Sequence, residues 1–221
     1  FAMGFTGTMD DLEIAAGGAE INYSQDAVVL DSLTITSVGG MGGNKKIQVS
    51  GNVVVNDGWN HVGPYGGTNC TISLRGSTDQ VLSGIGQAPY FEVSKPSGNV
   101  LLGSFNGSFG VITTSGAAFE AGIDLEGTTK TAASITMAGG KLIGTGTWNS
   151  SVTCNAGGGI APGDSPGCMT VNGNVVFNTG SKYEININGN TAACTDFDKL
   201  TVNGNITYGG TLSAIFAYAA Q

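Results

Sequence analysis

The chain has 221 residues with 38 glycines, 5 prolines and 11% charged residues. Glycine at this level, far above the usual ~7%, excludes long helices, while the few prolines and the missing three-residue period exclude collagen. A 40% hydrophobic content excludes a disordered chain, and a net charge of −8 argues against a nucleic-acid partner.

In chain order, the opening Phe1-Ala-Met-Gly-Phe5 carries no charge, and the first acidic group is Asp10. Apolar and small polar residues then alternate over Val28 to Thr36 and Ile47 to Val55, which predicts strands. Between them, Gly39-Gly-Met-Gly-Gly-Asn44 reads as a flexible turn. It resembles a calcium-binding nonapeptide, with Asn44 in place of the aspartate and Lys46 in the apolar slot. A polar aromatic loop follows, Trp59-Asn-His-Val-Gly-Pro-Tyr65, in which Trp59, His61 and Tyr65 could face a glycan. Further strands are expected over Cys70 to Leu74, Asn99 to Leu102, Val111 to Thr114, Ala133 to Met137, Met169 to Phe177, Lys182 to Ile187, Leu200 to Tyr208 and Thr211 to Phe216. No apolar run approaches the ~20 residues of a membrane-spanning helix, so no membrane insertion is expected.

Segments 47–55, 169–177 and 200–208 share one pattern, apolar-x-Val-x-Gly-Asn-apolar-x-apolar. The last two repeat Thr-Val-Asn-Gly-Asn at an offset of 31 residues. Gly-Asn closing an antiparallel hairpin is the alternative, but alternation that continues past the corner suits a coil stacked on itself. Glycine at such corners would supply left-handed backbone. The expected fold is therefore an all-β, single-stranded right-handed parallel β-helix over residues 1–221. At roughly 20 to 30 residues per coil it has about eight to ten coils, with residues 1–12 as a capping or exchanged segment.

The string from Gly157-Gly-Gly-Ile-Ala-Pro-Gly-Asp-Ser-Pro-Gly-Cys through Asp196-Phe-Asp-Lys-Leu-Thr-Val-Asn-Gly-Asn205 to Gly209-Gly-Thr-Leu212 resembles the autotransporter-associated β-helix repeat. The resemblance covers residues 157–216. It implies a bacterial surface or secreted β-solenoid with a structural or adhesive role, exported by way of a removed signal. Such passengers are typically poor in cysteine, and this chain has four. Cys154 and Cys168, which bracket a glycine-rich loop, are the favoured disulfide, with Cys168 to Cys194 the rival. Cys70 is read as a buried thiol or an intermolecular partner.

Candidate chemistry is thin. Gly163-Asp-Ser-Pro-Gly167 matches a nucleophile elbow, but Pro166 has no N–H to build an oxyanion hole and the lone histidine lies upstream. Asp196 with Asp198, or Asp10 with Asp11 and Glu13, have the hard oxygens that calcium takes, though not the spacing of a known loop. No catalytic residue, cofactor or metal site is expected. Arg75 is the single arginine, and only stacking of separate coils could bring carboxylates beside it.

From Leu200 to Gln221 there is no charged residue. Two explanations stand side by side: neighbouring copies bury the apolar ends (Phe1, Met3, Phe5 and Ile215, Phe216, Tyr218) head to tail, or further coils of a longer passenger cover them. The functional expectation is a self-assembling extracellular rod that contacts copies of itself and cell-surface glycans. A carbohydrate-binding or polysaccharide-cleaving β-helix is the alternative, and ice binding is set aside because Thr34, Thr36, Thr145 and Thr147 are too scattered.

Overall fold

In chain order, each short apolar segment is followed by a corner and then by a strand that pairs with the one a single turn earlier. The computed structural model describes residues 2–3, 8–17, 20–57, 70–163 and 166–217. Among them there is no helix, and strand after strand pairs in parallel with the strand of the coil before. One sheet holds ten strands, from Leu12–Ala15 to Thr211–Phe216, one from each coil. A 13-stranded sheet forms a second wall, and a 3-stranded sheet (Ala2–Met3, Glu20–Tyr23, Gly40–Gly42) forms a third beside the first coils. Ten coils at the usual spacing between paired strands make a rod about 40 to 45 Å long. Coil length varies: paired residues are 17 positions apart between Ile135 and Val152, and 31 apart between Val175 and Ile206.

The core is two kinds of thing at once, side-chain columns and backbone ladders. Along the 13-stranded sheet, Ala27, Ile47, Ile72, Phe91, Ile112, Ile135, Val152 and Val175 stack in register and are all buried. Two residues further along each strand, Val29, Val49, Leu74, Val93, Thr114, Met137, Cys154 and Phe177 form a second column. Trp148 is the largest fully buried side chain. Its indole N–H has no hydrogen-bond partner among the described residues. Outside, asparagines stack into amide ladders: Asn203 Nδ2 donates to Asn172 Oδ1 (2.8 Å), and Asn172 Nδ2 to Asn149 Oδ1 (2.7 Å).

The cysteine columns correct the favoured disulfide. Cys154 points inward between Met137 and Phe177, whereas Cys168 stands on the outer side of its strand, so the two thiols lie on opposite faces of the sheet wall. Cys168 is bonded instead to Cys194, on an excursion that leaves the coil after Ile187 and returns at Lys199. Cys70 is a fully buried thiol. Burial pushes both remaining thiols up to about 12, with Asp26 adding to the rise at Cys70.

Three further expectations change. The corner glycines Gly51, Gly173 and Gly204 do not have left-handed φ values. They are glycine because a Cβ would overlap a carbonyl of the coil below, that of Asp31, Ser150 and Gly173 respectively. Close stacking, not backbone freedom, selects them. The Gly39 to Asn44 segment is a buried strand at Gly40–Gly42 with Met41 in the core, and only Gly43 and Asn44 have turn geometry, at φ 104° and 51°. Segment 47–55 also sits at a different place around the coil from 169–177, since Ile47 lies in the column of Val175 rather than of Met169. The offset of 31 between the other two copies is one full turn.

Two polar clusters tie coils together. The fully buried Lys95 Nζ donates to Gly76 O (2.8 Å), Thr78 O (2.8 Å) and Gln80 Oε1 (2.7 Å). Burial lowers its pKa to about 8 despite the nearby charge of Asp79. Glu92 accepts from Lys46 Nζ (2.8 and 2.9 Å), Ser73 Oγ (2.5 Å) and Ser115 Oγ (2.5 Å), residues of four successive coils. Burial acts to raise its pKa, but the hydrogen bonds from Lys46, Ser115 and Ser73 and the lysine charge prevail and lower it.

Candidate functional site

Among the described residues, the coil that runs from Lys199 to Phe216 has a paired neighbour on one side only. Its strands Lys199–Val202, Ile206–Tyr208 and Thr211–Phe216 pair back to the preceding coil through Cys168–Val171, Val175–Phe177 and Lys182–Ile187, and their other edges are unpaired within the sheets. The core columns continue into this coil, the last among the described residues. Ile206 stands on Val175, Tyr208 on Phe177 and Leu212 on Tyr183. Their counterparts one coil below are buried or half-buried, yet Ile206 is 55% exposed, Tyr208 46%, Leu212 54%, Ile215 45% and Phe216 62%.

Between these side chains lies a hollow of about 270 Å³ lined by Phe177, Tyr183, Leu200, Ile206, Tyr208 and Leu212. Phe177 meets Tyr208 with ring centroids 5.2 Å apart and Tyr183 at 5.7 Å. Burial raises the Tyr183 phenol to about 12. The hollow is a cross-section of the core left open. Edges of this kind are usually blunted by lysine, proline or a cap, and none of these stands on the described part of the last two strands.

Of the residues singled out from sequence for the ends, Ile215 and Phe216 fall on this open coil. Met3 belongs to the strand Ala2–Met3, whose partner is Glu20–Tyr23, at the opposite end of the rod. Phe1, Phe5, Tyr218 and the glycan candidates Trp59, His61 and Tyr65 lie outside the described residues. Ile206, Tyr208 and Leu212 were missed. The repeat could have supplied the first two, because aligning Val175 with Ile206 and Phe177 with Tyr208 places both in the core columns.

Of the acidic residues considered for calcium, Asp11, Asp196 and Asp198 accept from backbone N–H groups and Glu13 accepts from a hydroxyl. Asp198, buried, accepts from Gly167 N (2.7 Å) and Asn186 N (2.6 Å), and Asp196 accepts from Thr191 N (3.0 Å) and Ala192 N (3.1 Å). Asp11 accepts from Ser32, and Glu13 from Thr36. Stacking does bring a carboxylate near Arg75: its Nε donates to Ser73 Oγ (3.4 Å), which in turn donates to Glu92. Both oxygens of Glu92 are occupied by Lys46 and the two serines, so this cluster serves as a brace.

No family model, curated protein or solved structure matches the chain. The all-β parallel solenoid therefore rests on the coil-by-coil pairing itself.

Proposed function

We propose that this chain is an extracellular structural or adhesive β-solenoid of the bacterial autotransporter-passenger kind, without catalytic residues, and that it assembles head to tail. The open apolar coil at Lys199 to Phe216 carries this reading. Three strand edges end there, two of the 13-stranded sheet and one of the ten-stranded sheet, and three strands, Ala2–Met3, Thr8–Met9 and Leu12–Ala15, one from each sheet, stand at the other end. A second copy offers the same number of parallel edges that an eleventh coil would. The contact joins unlike surfaces and does not close, so repetition gives a filament. The repeat-like string over residues 157–216 and a surface disulfide, which suits an oxidising compartment, support placement outside the cell.

Sedimentation velocity with negative-stain microscopy tests the proposal. Length should grow with concentration in steps of one rod, and Tyr208→Lys with Leu212→Lys should abolish growth while leaving the monomer folded. A monodisperse monomer at high concentration would overturn self-assembly and leave further coils of a longer chain as the cover.

A further inference from the structure

The outer side of the ten-stranded wall carries a trough that no part of the end-to-end reading uses. It is a cavity of about 380 Å³ lined by Asn99, Glu120, Asp124, Lys141, Glu184 and Asn186, with Ile143, Ala161 and Pro162 supplying apolar surface. Its origin is a register effect. The outward column of this wall reads Asn99, Gly122, Lys141, Gly159, Lys182 on successive coils, so every second position lacks a side chain. The side chain of Phe119 packs over Gly159, with Lys182 Nζ 3.9 Å and Lys141 Nζ 5.1 Å from its ring centre. The lining spans five coils, about 19 Å along the rod.

The electrostatics are one-sided. Three carboxylates line the cavity against one ammonium, Lys141. That ammonium is already committed, at 3.1 Å from both Glu120 and Glu184, and is largely buried with Glu184. Lys182 Nζ, beside the trough, is also turned to Glu184, at 4.0 Å, so an anionic ligand would meet net negative charge with both ammonium groups already engaged. A peptide would find no strand edge, because the strands beneath the trough are paired on both sides, and main-chain pairing is the chief source of affinity for an added strand. What the lining does offer is the side-chain amide of Asn99, the amide oxygen of Asn186, whose Nδ2 donates to Asp198 Oδ2 (3.2 Å), carboxylate acceptors, and small apolar patches. These suit hydroxyls, ammonium groups and the C–H faces of sugar rings.

We propose that this trough seats a linear oligosaccharide bearing free amino groups, of the glucosamine type, laid along the rod axis. The site lies on a side wall, so it is independent of end-to-end assembly, and the two proposals fail separately. Calorimetric titration of the full chain with tetraglucosamine, tetra-N-acetylglucosamine and tetragalacturonate is the test. The amine-bearing chain should bind about tenfold or more tightly than the N-acetylated one, the effect of losing a charge-assisted contact, and tetragalacturonate should not bind. Asp124→Asn with Glu184→Gln should weaken binding by about the same factor. Asn99→Ala, at the far end of the trough and outside the Lys141 ion pairs, should also weaken it, which guards against misfolding of the double variant. Failure of the wild type to bind tetraglucosamine, equal affinity for the N-acetylated chain, or unchanged affinity in Asn99→Ala would each overturn the site.

Discussion

The coil from Gly146 to Ile160 and the coil from Lys199 to Phe216 are built to one plan, yet one is closed and the other open. In the first, Trp148, Val152, Cys154 and Ile160 are fully buried. In the second, the residues of the same columns, Ile206, Tyr208 and Leu212, are about half exposed. Residue type does not separate them; the presence of a next coil does. In a solenoid the core is shared between neighbours, so each coil's stability lies largely in its contacts above and below.

Substitutions that probe the closed coil should therefore cost much more than the same kind of change at the open one. The largest effect is expected at Trp148: replacement by alanine should destabilise by about 3–5 kcal/mol in chemical denaturation. Trp148→Phe should cost well under half of that, because it also removes a buried N–H without a partner. Equal losses for the two would show that the indole is satisfied.

Next comes the link Cys168–Cys194, with a sequence separation of 26 residues. Replacing both by serine should cost about 3.5 kcal/mol in the chain-entropy account, while alkylation of native protein at neutral pH should spare Cys70 and Cys154, whose buried thiols are raised to about 12. Fast labelling of either in the folded chain would contradict the column placement.

A third prediction tests close stacking. Gly173→Ala forces a Cβ onto the Ser150 carbonyl and should cost about 1–3 kcal/mol by overpacking. A change near zero would mean that the coils separate easily at that corner.

The pH effects are graded rather than all-or-none. Glu92 is held below its ordinary 4.5. Its stabilisation is thus complete above that value and fades as pH falls through the lower folded one. Lys95 is depressed from 10.5 to about 8. The unfolded chain binds the extra proton between those values, so stability should rise as pH climbs from about 8 to 10.5. Melting of Lys95→Met should lose that alkaline rise. At the bottom of the range, Ile206→Ser on the open coil should change monomer stability by only about 0.5 kcal/mol or less.

Much of this architecture was legible in the sequence. Lys182–Ile187 and Thr211–Phe216 begin and end where the alternation does, and the 31-residue repeat is one turn. Strands such as Gly40–Gly42, Gly122–Asp124 and Gly159–Ile160 were missed because two or three residues with glycine carry no period; the neighbouring coils make them strands. Val28 to Thr36 was read as one strand but breaks into Ala27–Val29 and Leu33–Ser37 at a corner without glycine. The trough was invisible in sequence for a related reason. Asn99, Asp124 and Glu184 lie far apart in the chain and meet only because coils of unequal length stack in register. The open end was half visible: the uncharged tail announced it, but its area depended on knowing which positions face the core.

The amide ladder adds a direction to the rod. Asn203 donates to Asn172, Asn172 to Asn149, and Asn149 Nδ2 to Thr131 Oγ1 at 3.4 Å, so each donor points toward the N-terminal end. Two C-terminal ends brought together would set acceptor against acceptor and turn their strands antiparallel. The molecule behaves like an arrow rather than a bar: growth by stacking preserves its polarity, and every unit added would present the same face to the next.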